Sequence, residues 1–159
     1  MNTVYLLLGS NIGNSKTSLA KALMQIEKQI GTITRLSSLY TTAAWGNTRQ
    51  PDFLNRVIIV KTALSALQTM QTILVIEEEM GRIRTVKNAP RIIDIDILFF
   101  NKEIIELEQL SIPHPQIQNR RFVLVPLNQL SPNLMHPVLK SSVHQLLLYC
   151  PDRLNVKKF

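Results

Sequence analysis

Two aspartates, Asp94 and Asp96, alternate with isoleucines in the segment 90–97. Because side chains alternate between the two faces of a strand, both carboxylates point to one face. Two like charges side by side are costly to keep ionised, and a bound divalent cation removes that cost. Oxygen ligands without a nearby cysteine or histidine favour Mg²⁺. The pair is therefore a candidate metal site, and the alternative is the solvated polar face of a half-buried strand.

Three arginines precede this strand in a loop bounded by glycine and proline: Arg82, Arg84 and Arg91. Guanidinium groups bind phosphate oxygens in bidentate geometry. A metal beside arginines is what phosphoryl transfer needs, because its catalysis is mainly positioning and charge stabilisation. Each arginine has the alternative of a surface ion pair with a neighbour such as Glu77. The residues favour transfer of a phosphate-type group from ATP, and they do not separate phosphoryl from pyrophosphoryl transfer.

Several other residues are candidates for substrate binding. His114 lies between two prolines, in a rigid extended segment, where it would contact ATP or hydrogen-bond a loop carbonyl. Glu77 precedes Gly81 on a helix and has the alternative of plain solvation. Aromatic faces and an amide edge suit a flat heterocycle, although the same residues also suit an ordinary core. The candidates for such a pocket are Trp45, Phe53, Asn55 and Phe122.

The elements that carry these residues follow a β-α-β-β-α-β order. The predicted strands cover 3–9, 33–40, 53–62 and 92–100, and the segment 41–52 is predicted to be a loop. Short helices are predicted near 122–129 and 142–148. This order matches the ferredoxin-like split βαβ plan with an antiparallel sheet. We therefore predict an α+β fold in which residues 1–159 form a single domain.

The two helices between the strands have recognisable ends. The first begins near Ser15, and Gly31 is a natural C′ residue to end it. The second opens at Ser65, with Gln68 at the spacing of a capping box, and Gly81 closes it. Five residues follow at helical spacing along the second helix: Leu67, Met70, Ile73, Leu74 and Glu77.

Composition limits the class of protein. The 159 residues are 45% hydrophobic and 18% charged, which is typical of a globular chain. No apolar run approaches the roughly 20 residues of a membrane helix. The single cysteine, Cys150, excludes an internal disulfide and fits a reducing cytoplasm. The net charge of +7 suits a nucleic-acid surface or a polyanionic small molecule. Part of it lies in the tail, which is predicted to be solvated: Arg153, Lys157 and Lys158.

Taken together, the motifs resemble the 6-hydroxymethyl-7,8-dihydropterin pyrophosphokinase family. The matching segments are 8–11, 37–42, 50–55, 81–84, 90–96, 112–115 and 120–127. The resemblance implies a ferredoxin-like domain in three α/β/α layers with C-terminal additions. It also implies transfer of pyrophosphate from ATP to the pterin hydroxymethyl oxygen, with AMP leaving.

The resemblance implies specific roles for residues of this sequence. Asp94 and Asp96 would hold two Mg²⁺ ions, and Arg82 and Arg91 would act with them in catalysis. The implied ATP site is Glu77, Arg82, Arg84, Arg91, Ile97, Ser111, His114 and Arg120. The implied pterin site is Thr42, Ala43, Ala44, Trp45, Phe53, Asn55 and Phe122. Positions that depart from the family pattern are Ala43, Ala44, Leu74, Asn88 and Gln109.

Two other functions fit parts of the sequence. A ferredoxin-like nucleic-acid-binding domain would agree with the charge, but it would carry aromatics and lysines on its central strands. Here the candidate strand carries Asp94 and Asp96, which repel phosphate unless a metal is bound. A ligand-sensing regulatory module would not need the arginine loop. We therefore expect small-molecule substrates only, with no nucleic acid, no membrane and no obligate protein partner.

Overall fold

The computed structural model describes residues 1–43, 50–82 and 91–159. Within these ranges the strands are β1 (Asn2–Ser10), β2 (Gly31–Leu36), β3 (Tyr40–Thr42), β4 (Phe53–Thr62), β5 (Asp94–Phe100), β6 (Ile105–Glu106), β7 (Ser111–Ile112) and β8 (Val156–Lys158). The helices there are α1 (Ser15–Gln29), α2 (Ala66–Glu79), α3 (Arg121–Leu130) and α4 (Val143–Leu148), with a 3-10 turn at Ile117–Asn119. The predicted β-α-β-β-α-β order is confirmed from β1 to β5.

One antiparallel sheet organises the chain. Its order is β5-β1-β4-β3-β8, and β2 also pairs with β4. β1 lies between β4 and β5, so that Leu7 is opposite Val57 on one side and Asp96 on the other. β6 and β7 form a separate two-stranded sheet. The central position of β1 and β4 confirms the predicted ferredoxin-like arrangement.

Side-chain alternation along the strands divides the core into two layers. Leu6 and Leu8 of β1 belong to a cluster that contains the buried residues of α1 and α2. Leu7 points the other way, into a cluster that contains the buried residues of α3 and α4. Since both faces of the sheet are covered, the strands are apolar on both sides, and the three-layer α/β/α arrangement is confirmed.

The predicted strand 33–40 is wrong in its bounds. It divides into β2 and β3, and the chain turns between them at the buried Ser37. Ser37 N donates to the Val57 carbonyl, and the Ser37 hydroxyl accepts from Val57 N. The strand is therefore interrupted at Ser37, and the serine hydroxyl accepts the hydrogen bond that Val57 N of β4 would otherwise donate to a strand carbonyl. The predicted strand 92–100 also begins later, at Asp94.

Both ends of α2 are confirmed, but two of the residues noted at helical spacing are exposed. Ser65 and Gln68 form the expected capping box, and Gly81 has φ +89° beyond the C-cap. Leu67 and Leu74 are 37% and 43% exposed. The buried stripe is rotated about the helix axis, and it consists of Ala66, Thr69, Ile73, Ile76 and Glu77.

The tail, which the sequence predicted to be solvated, forms a strand. β8 pairs with β3, placing Val156 opposite Thr42 and Lys158 opposite Tyr40. The lysine side chains are exposed, so only their backbone joins the sheet. An exposed strand edge can pair with any backbone that has unpaired N–H and C=O groups, so the charge pattern of the tail does not predict this pairing. None of the helices in the described ranges is long and apolar enough to cross a bilayer.

Gly31 occupies the predicted position after α1 for a different reason. The backbone conformation does not require glycine there, because the φ of Gly31 lies outside the left-handed range. A Cβ at this position would lie 2.0 Å from the Lys61 carbonyl oxygen and 3.0 Å from the Thr62 Cα. Those are backbone atoms of the central strand β4, which have no room to shift. Glycine is needed because β2 enters the sheet in close contact with β4.

We expect Gly31→Ala to lower the free energy of unfolding by about 2 kcal/mol, since overpacking of this kind costs about 1–3 kcal/mol. The measurement is urea unfolding followed by circular dichroism. The matched control is Thr32→Ala, which removes an exposed side chain from the same strand. Equal stability of the two variants would contradict the close-approach argument.

Candidate active site

A cavity of about 480 Å³ opens on the sheet face that α3 partly covers. β1, β3, β4, β5, α2 and α3 all contribute residues to it, and these residues are distant from one another in the sequence. Of the predicted site residues, those that line it are Thr42, Ala43, Phe53, Asn55, Glu77, Arg82, Arg91, Asp94, Asp96, Ile97, Ser111, His114, Arg120 and Phe122. The remaining predictions, Ala44, Trp45 and Arg84, lie outside the described residues, as does Asn88.

Sheet register brings the polar residues of the central strands together. Gly9 of β1 is opposite Asn55 of β4 on one side and opposite Asp94 of β5 on the other. Paired residues share a face of the sheet, so these three positions form one row across it. Asp96 lies two residues further along β5, on the same face. The cavity floor therefore has an amide at one end and two carboxylates at the other.

Gly9 provides the space that Asn55 occupies. A Cβ at Gly9 would lie 2.7 Å from Asn55 Oδ1. Asn55 is 3% exposed, and its Nδ2 has no hydrogen-bond partner among the described residues. A buried donor without a partner is costly, and a ligand in the cavity would satisfy it. Sequence analysis missed Gly9, although a glycine inside an apolar strand signals a close approach.

Arg82 connects two carboxylates at the acidic end of the cavity. Its Nη1 lies 2.6 Å from Glu77 Oε2 and 2.6 Å from Asp94 Oδ1. Burial lowers the pKa of Arg82, but the charges of Asp94 and Glu77 outweigh burial and raise it overall. Arg82 is therefore a fixed cation, and its ion pairs are buried rather than at the surface.

Glu77 is buried, so the solvated alternative for it is wrong. Its side chain is 2% exposed, and its Oε2 also accepts a hydrogen bond from the Ile95 backbone N at 2.9 Å. In the part of the chain that the structure describes, β5 is the last strand of the sheet on this side, and no strand neighbours its outward N–H groups. Glu77 thus satisfies the edge of β5 and places a negative charge behind the aspartates.

The environment of Asp96 opposes its ionisation. Burial, followed by the negative charges of Asp94 and Glu77, raises the pKa of Asp96 to about 7. Arg120 and Arg82 act in the opposite direction without offsetting these effects. Burial also lowers the pKa of Arg120, although it stays cationic. Three carboxylates, Glu77, Asp94 and Asp96, and three arginines, Arg82, Arg91 and Arg120, line the cavity, so burial of Asp96 and its closeness to the other carboxylates, rather than an excess of negative charge, account for its raised pKa.

His114 is neutral and has a defined tautomer. Burial and the nearby Arg120 lower the pKa of His114 to about 4. Its Nδ1 accepts a hydrogen bond from the Gln116 backbone N at 3.1 Å. The proton of the neutral ring is therefore on Nε2, which leaves an N–H donor at the cavity wall. The predicted alternative, a hydrogen bond to a loop carbonyl, is not what occupies Nδ1.

Asn11 holds Arg91 in place through two hydrogen bonds to the Arg91 backbone. Asn11 N donates to the Arg91 carbonyl at 3.0 Å, and Arg91 N donates to Asn11 Oδ1 at 2.8 Å. Arg91 Nη1 lies 3.4 Å from Asp94 Oδ2. The Asn11 amide also donates to Gln50 and to the Pro51 carbonyl. The sequence predicted only a turn here, because an asparagine directly after a strand is common in turns.

The other end of the cavity is aromatic. Phe53 and Phe122 line it from β4 and from the first turn of α3. The guanidinium of Arg120 lies 5.8 Å from the centre of the Phe122 ring, within the range of a cation–π contact. Leu74 and Gln109, which depart from the family pattern, also line the cavity. The site thus combines a charged end for an anion with an apolar, amide-bearing end for a ring.

Comparison with known proteins agrees with this geometry. A family model described as 7,8-dihydro-6-hydroxymethylpterin-pyrophosphokinase (HPPK) matches residues 5–132. The 2-amino-4-hydroxy-6-hydroxymethyldihydropteridine pyrophosphokinase of Aquifex aeolicus is 38% identical over 145 residues, covering 91% of this chain and 90% of the relative. The enzyme of the same name from Bacillus subtilis is 42% identical over 130 residues, covering 81% of this chain and 78% of the relative.

Larger proteins contain the same fold. The folic acid synthesis protein FOL1 of Dictyostelium discoideum is 37% identical over 155 residues, which cover 98% of this chain and 23% of that protein. The crystal structure of wild-type Plasmodium falciparum HPPK-DHPS with SDX-DHP matches with a TM-score of 0.76 at 24% identity, over 93% of this chain and 43% of that one. This structural likeness shows the fold. The chain therefore belongs to the 7,8-dihydro-6-hydroxymethylpterin-pyrophosphokinase family, and it is an enzyme that transfers pyrophosphate to hydroxymethyldihydropterin.

Proposed function

We propose that the transfer, a step of folate biosynthesis, takes place in this cavity, with ATP as the donor and AMP as the leaving group. The hydroxymethyl oxygen of the pterin attacks the β-phosphorus, the bond from that phosphorus to the bridging oxygen of AMP breaks, and the hydroxyl proton is released. The observation that supports this assignment most directly is that paired carboxylates, arginines and an unpartnered buried amide share one cavity.

Mg²⁺ fits the acidic end of the cavity. Asp94 and Asp96 offer hard oxygen ligands on one face of β5, and a bound cation would favour ionisation of Asp96, whose pKa is raised first by burial and then by the charges of Asp94 and Glu77. We propose that these two residues hold two Mg²⁺ ions, as the resemblance of the motifs implies. When bound, the ions would neutralise the triphosphate charge.

The arginines are proposed to bind and orient the phosphates. Arg82, Arg91 and Arg120 all reach the cavity, and each guanidinium offers several donors in a fixed plane. Arg82 and Arg91 are engaged with Asp94, so phosphate oxygens would replace that carboxylate as their partner. Because the transition state develops negative charge, we assign catalytic roles to these two. Arg84 is proposed as a further ATP ligand from its sequence position.

The remaining residues are proposed to orient the two substrates. His114 would donate from Nε2 to an ATP oxygen, and Glu77 would keep β5 and Arg82 in position. Ser111 and Ile97 line the same side of the cavity. On the other side, Asn55 would read the hydrogen-bonding edge of the pterin between Phe53 and Phe122. The segment of Thr42, Ala43, Ala44 and Trp45 completes the proposed pterin site.

The charge pattern of the cavity supports small-molecule substrates over nucleic acid. α3 and α4 cover part of the sheet face that a nucleic-acid-binding domain of this fold would expose, and the open part carries Asp94 and Asp96. We propose that residues 1–159 act as one domain, supported by the sheet that joins β1 to β8. A cytoplasmic location is proposed as well, because Cys150 is a free, buried thiol.

Product analysis tests the reaction. With Mg²⁺, ATP and 6-hydroxymethyl-7,8-dihydropterin, we expect AMP that forms only when the pterin is present. Asp96→Asn should lower kcat at least about 100-fold, the scale on which loss of one electrostatic contact acts in catalysis. The control is Asp52→Asn, which changes an exposed carboxylate. ADP as the product would contradict pyrophosphoryl transfer, and full activity of a folded Asp96→Asn variant would contradict the metal assignment.

The raised pKa of Asp96 predicts a pH dependence of stability in protein freed of metal with a chelator. Unfolded aspartate ionises near pH 4, whereas folded Asp96 ionises near pH 7. The folded state therefore binds more protons in this window, and its stability falls as the pH rises. Allowing for screening in the open cavity, we expect a loss of about 2 kcal/mol between pH 4.5 and 7.5.

Urea unfolding at the two pH values measures this loss. Asp96→Asn should remove it, because the amide does not titrate. Mg²⁺ should reduce it in the unsubstituted protein, because the ion stabilises the ionised carboxylate. The same pH dependence in both proteins would show that the negative charge of Asp96 is already balanced.

Asn55→Ala tests the pterin end of the cavity. Loss of a buried hydrogen-bonding group costs about 1–3 kcal/mol, so we expect the KM for the pterin to rise about 10- to 100-fold. The KM for ATP should change less than about twofold, since ATP binds at the other end. Asn133→Ala, which alters an exposed asparagine, is the control. An unchanged pterin KM would place the heterocycle elsewhere.

A further inference from the structure

We propose that residues 152–159, here called the clasp, position both walls of the pterin end of the cavity. This inference rests on the pterin site proposed above. One wall is formed by Thr42 and Ala43 at the end of β3, and the other by Phe122 at the start of α3. The clasp contacts the elements that carry both walls. It acts as a positioning element and does not itself line the cavity.

The first wall depends on β8 for one of its two neighbours. β3 pairs with β4 along one edge and with β8 along the other, over Tyr40–Thr42. Phe159 N donates to the Leu39 carbonyl at 2.9 Å, which extends this contact beyond the strand. A strand this short forms few hydrogen bonds with β4 alone, so it also depends on its second neighbour. Without β8, β3 would be a short edge strand.

Thr42 is tied to the clasp by its side chain as well. Its hydroxyl donates to the Asn155 carbonyl at 3.2 Å, and the residue is 3% exposed. A threonine hydroxyl has a single proton to donate. That proton is donated to the clasp, so the Thr42 hydroxyl has no proton left to donate to a ligand. The wall would therefore offer a ligand its backbone rather than a hydroxyl donor.

The second wall depends on Asp152. Arg120, the N-cap of α3, makes no side-chain capping hydrogen bond. Asp152 supplies one instead, since its Oδ2 accepts from the Arg121 backbone N at 3.0 Å. Its Oδ1 accepts from Leu154 N at 3.0 Å, which fixes the chain that leads into β8. An acidic side chain is favourable at the start of a helix, where backbone N–H groups lack partners.

These contacts join the two walls through one short segment. Phe122 follows directly on the residue that Asp152 caps, and Thr42 pairs with Val156 only a few residues further along. The distance between the aromatic wall and the β3 wall is therefore set by the clasp. The carboxylates at the acidic end of the cavity lie on β5 and α2, which the clasp does not touch through any hydrogen bond among the described residues. Arg120, which precedes the residue that Asp152 caps, is the part of the proposed ATP site nearest the clasp. Clasp variants should consequently affect the pterin more than ATP.

The test is steady-state kinetics together with equilibrium pterin binding in Asp152→Ala. A helix cap contributes about 1 kcal/mol, so we expect the pterin KM and Kd to rise about fivefold. The KM for ATP and kcat should stay within about twofold. Asp152→Asn, which keeps an accepting oxygen, should restore most of the affinity. Lys157→Ala, an exposed side chain on β8, is the control and should bind the pterin normally.

A second variant that lacks residues 155–159 removes β8, and it should show the same selective loss at a temperature where circular dichroism reports a folded protein. An unchanged pterin Kd in both variants overturns the clasp, as does an equal loss for pterin and ATP, which a purely structural role would produce. Asn55→Ala in the same assay separates the two proposals. Lower affinity there with none lost in the clasp variants overturns the clasp alone, whereas no loss in any variant overturns the pterin site too.

Discussion

The antiparallel register of β1 with β4 and β5 is the constraint on which the rest of this structure depends. It places Gly9 between Asn55 and Asp94, so that an amide and a carboxylate lie in one row of the sheet. A shift by one residue would turn Asp94 and Asp96 into the core beneath α1 and α2. The apolar residues on both faces resist such a shift, because they would exchange places with polar ones. Core packing therefore fixes where the chemistry occurs.

Balance of charge is the second requirement. Three carboxylates, Glu77, Asp94 and Asp96, lie close together at a partly buried site, which is tolerable only with positive groups beside them. Arg82 supplies part of that charge from the turn that follows α2. The site is thus held together by attraction between groups that also attract phosphate and metal. The interactions that stabilise the fold at this end and those proposed to bind substrate draw on the same side chains.

Local patterns in the sequence predicted much of this arrangement. The alternation around Asp94 and Asp96 and the capping box of Ser65 depend on neighbouring residues alone, and they agree with the structure. Contacts between distant residues were not predictable in the same way. Burial of Glu77 depends on the edge of β5, and β8 depends on a free edge of β3. Gly31 is an intermediate case. Its position after α1 was predicted correctly, but glycine is needed there because of close contact with β4, which is distant in the sequence.

Asn11 gives the two ends of the cavity a common support. Its amide oxygen accepts from Arg91 N, on the side proposed for phosphate. Its amide nitrogen donates to Gln50 and Pro51, which lead into Phe53 on the side proposed for the heterocycle. Neither segment can move far and keep these hydrogen bonds unless the other moves with it. The side chain of Asn11 thus acts as a mechanical linkage between the two segments, so a displacement of either would be transmitted to the other.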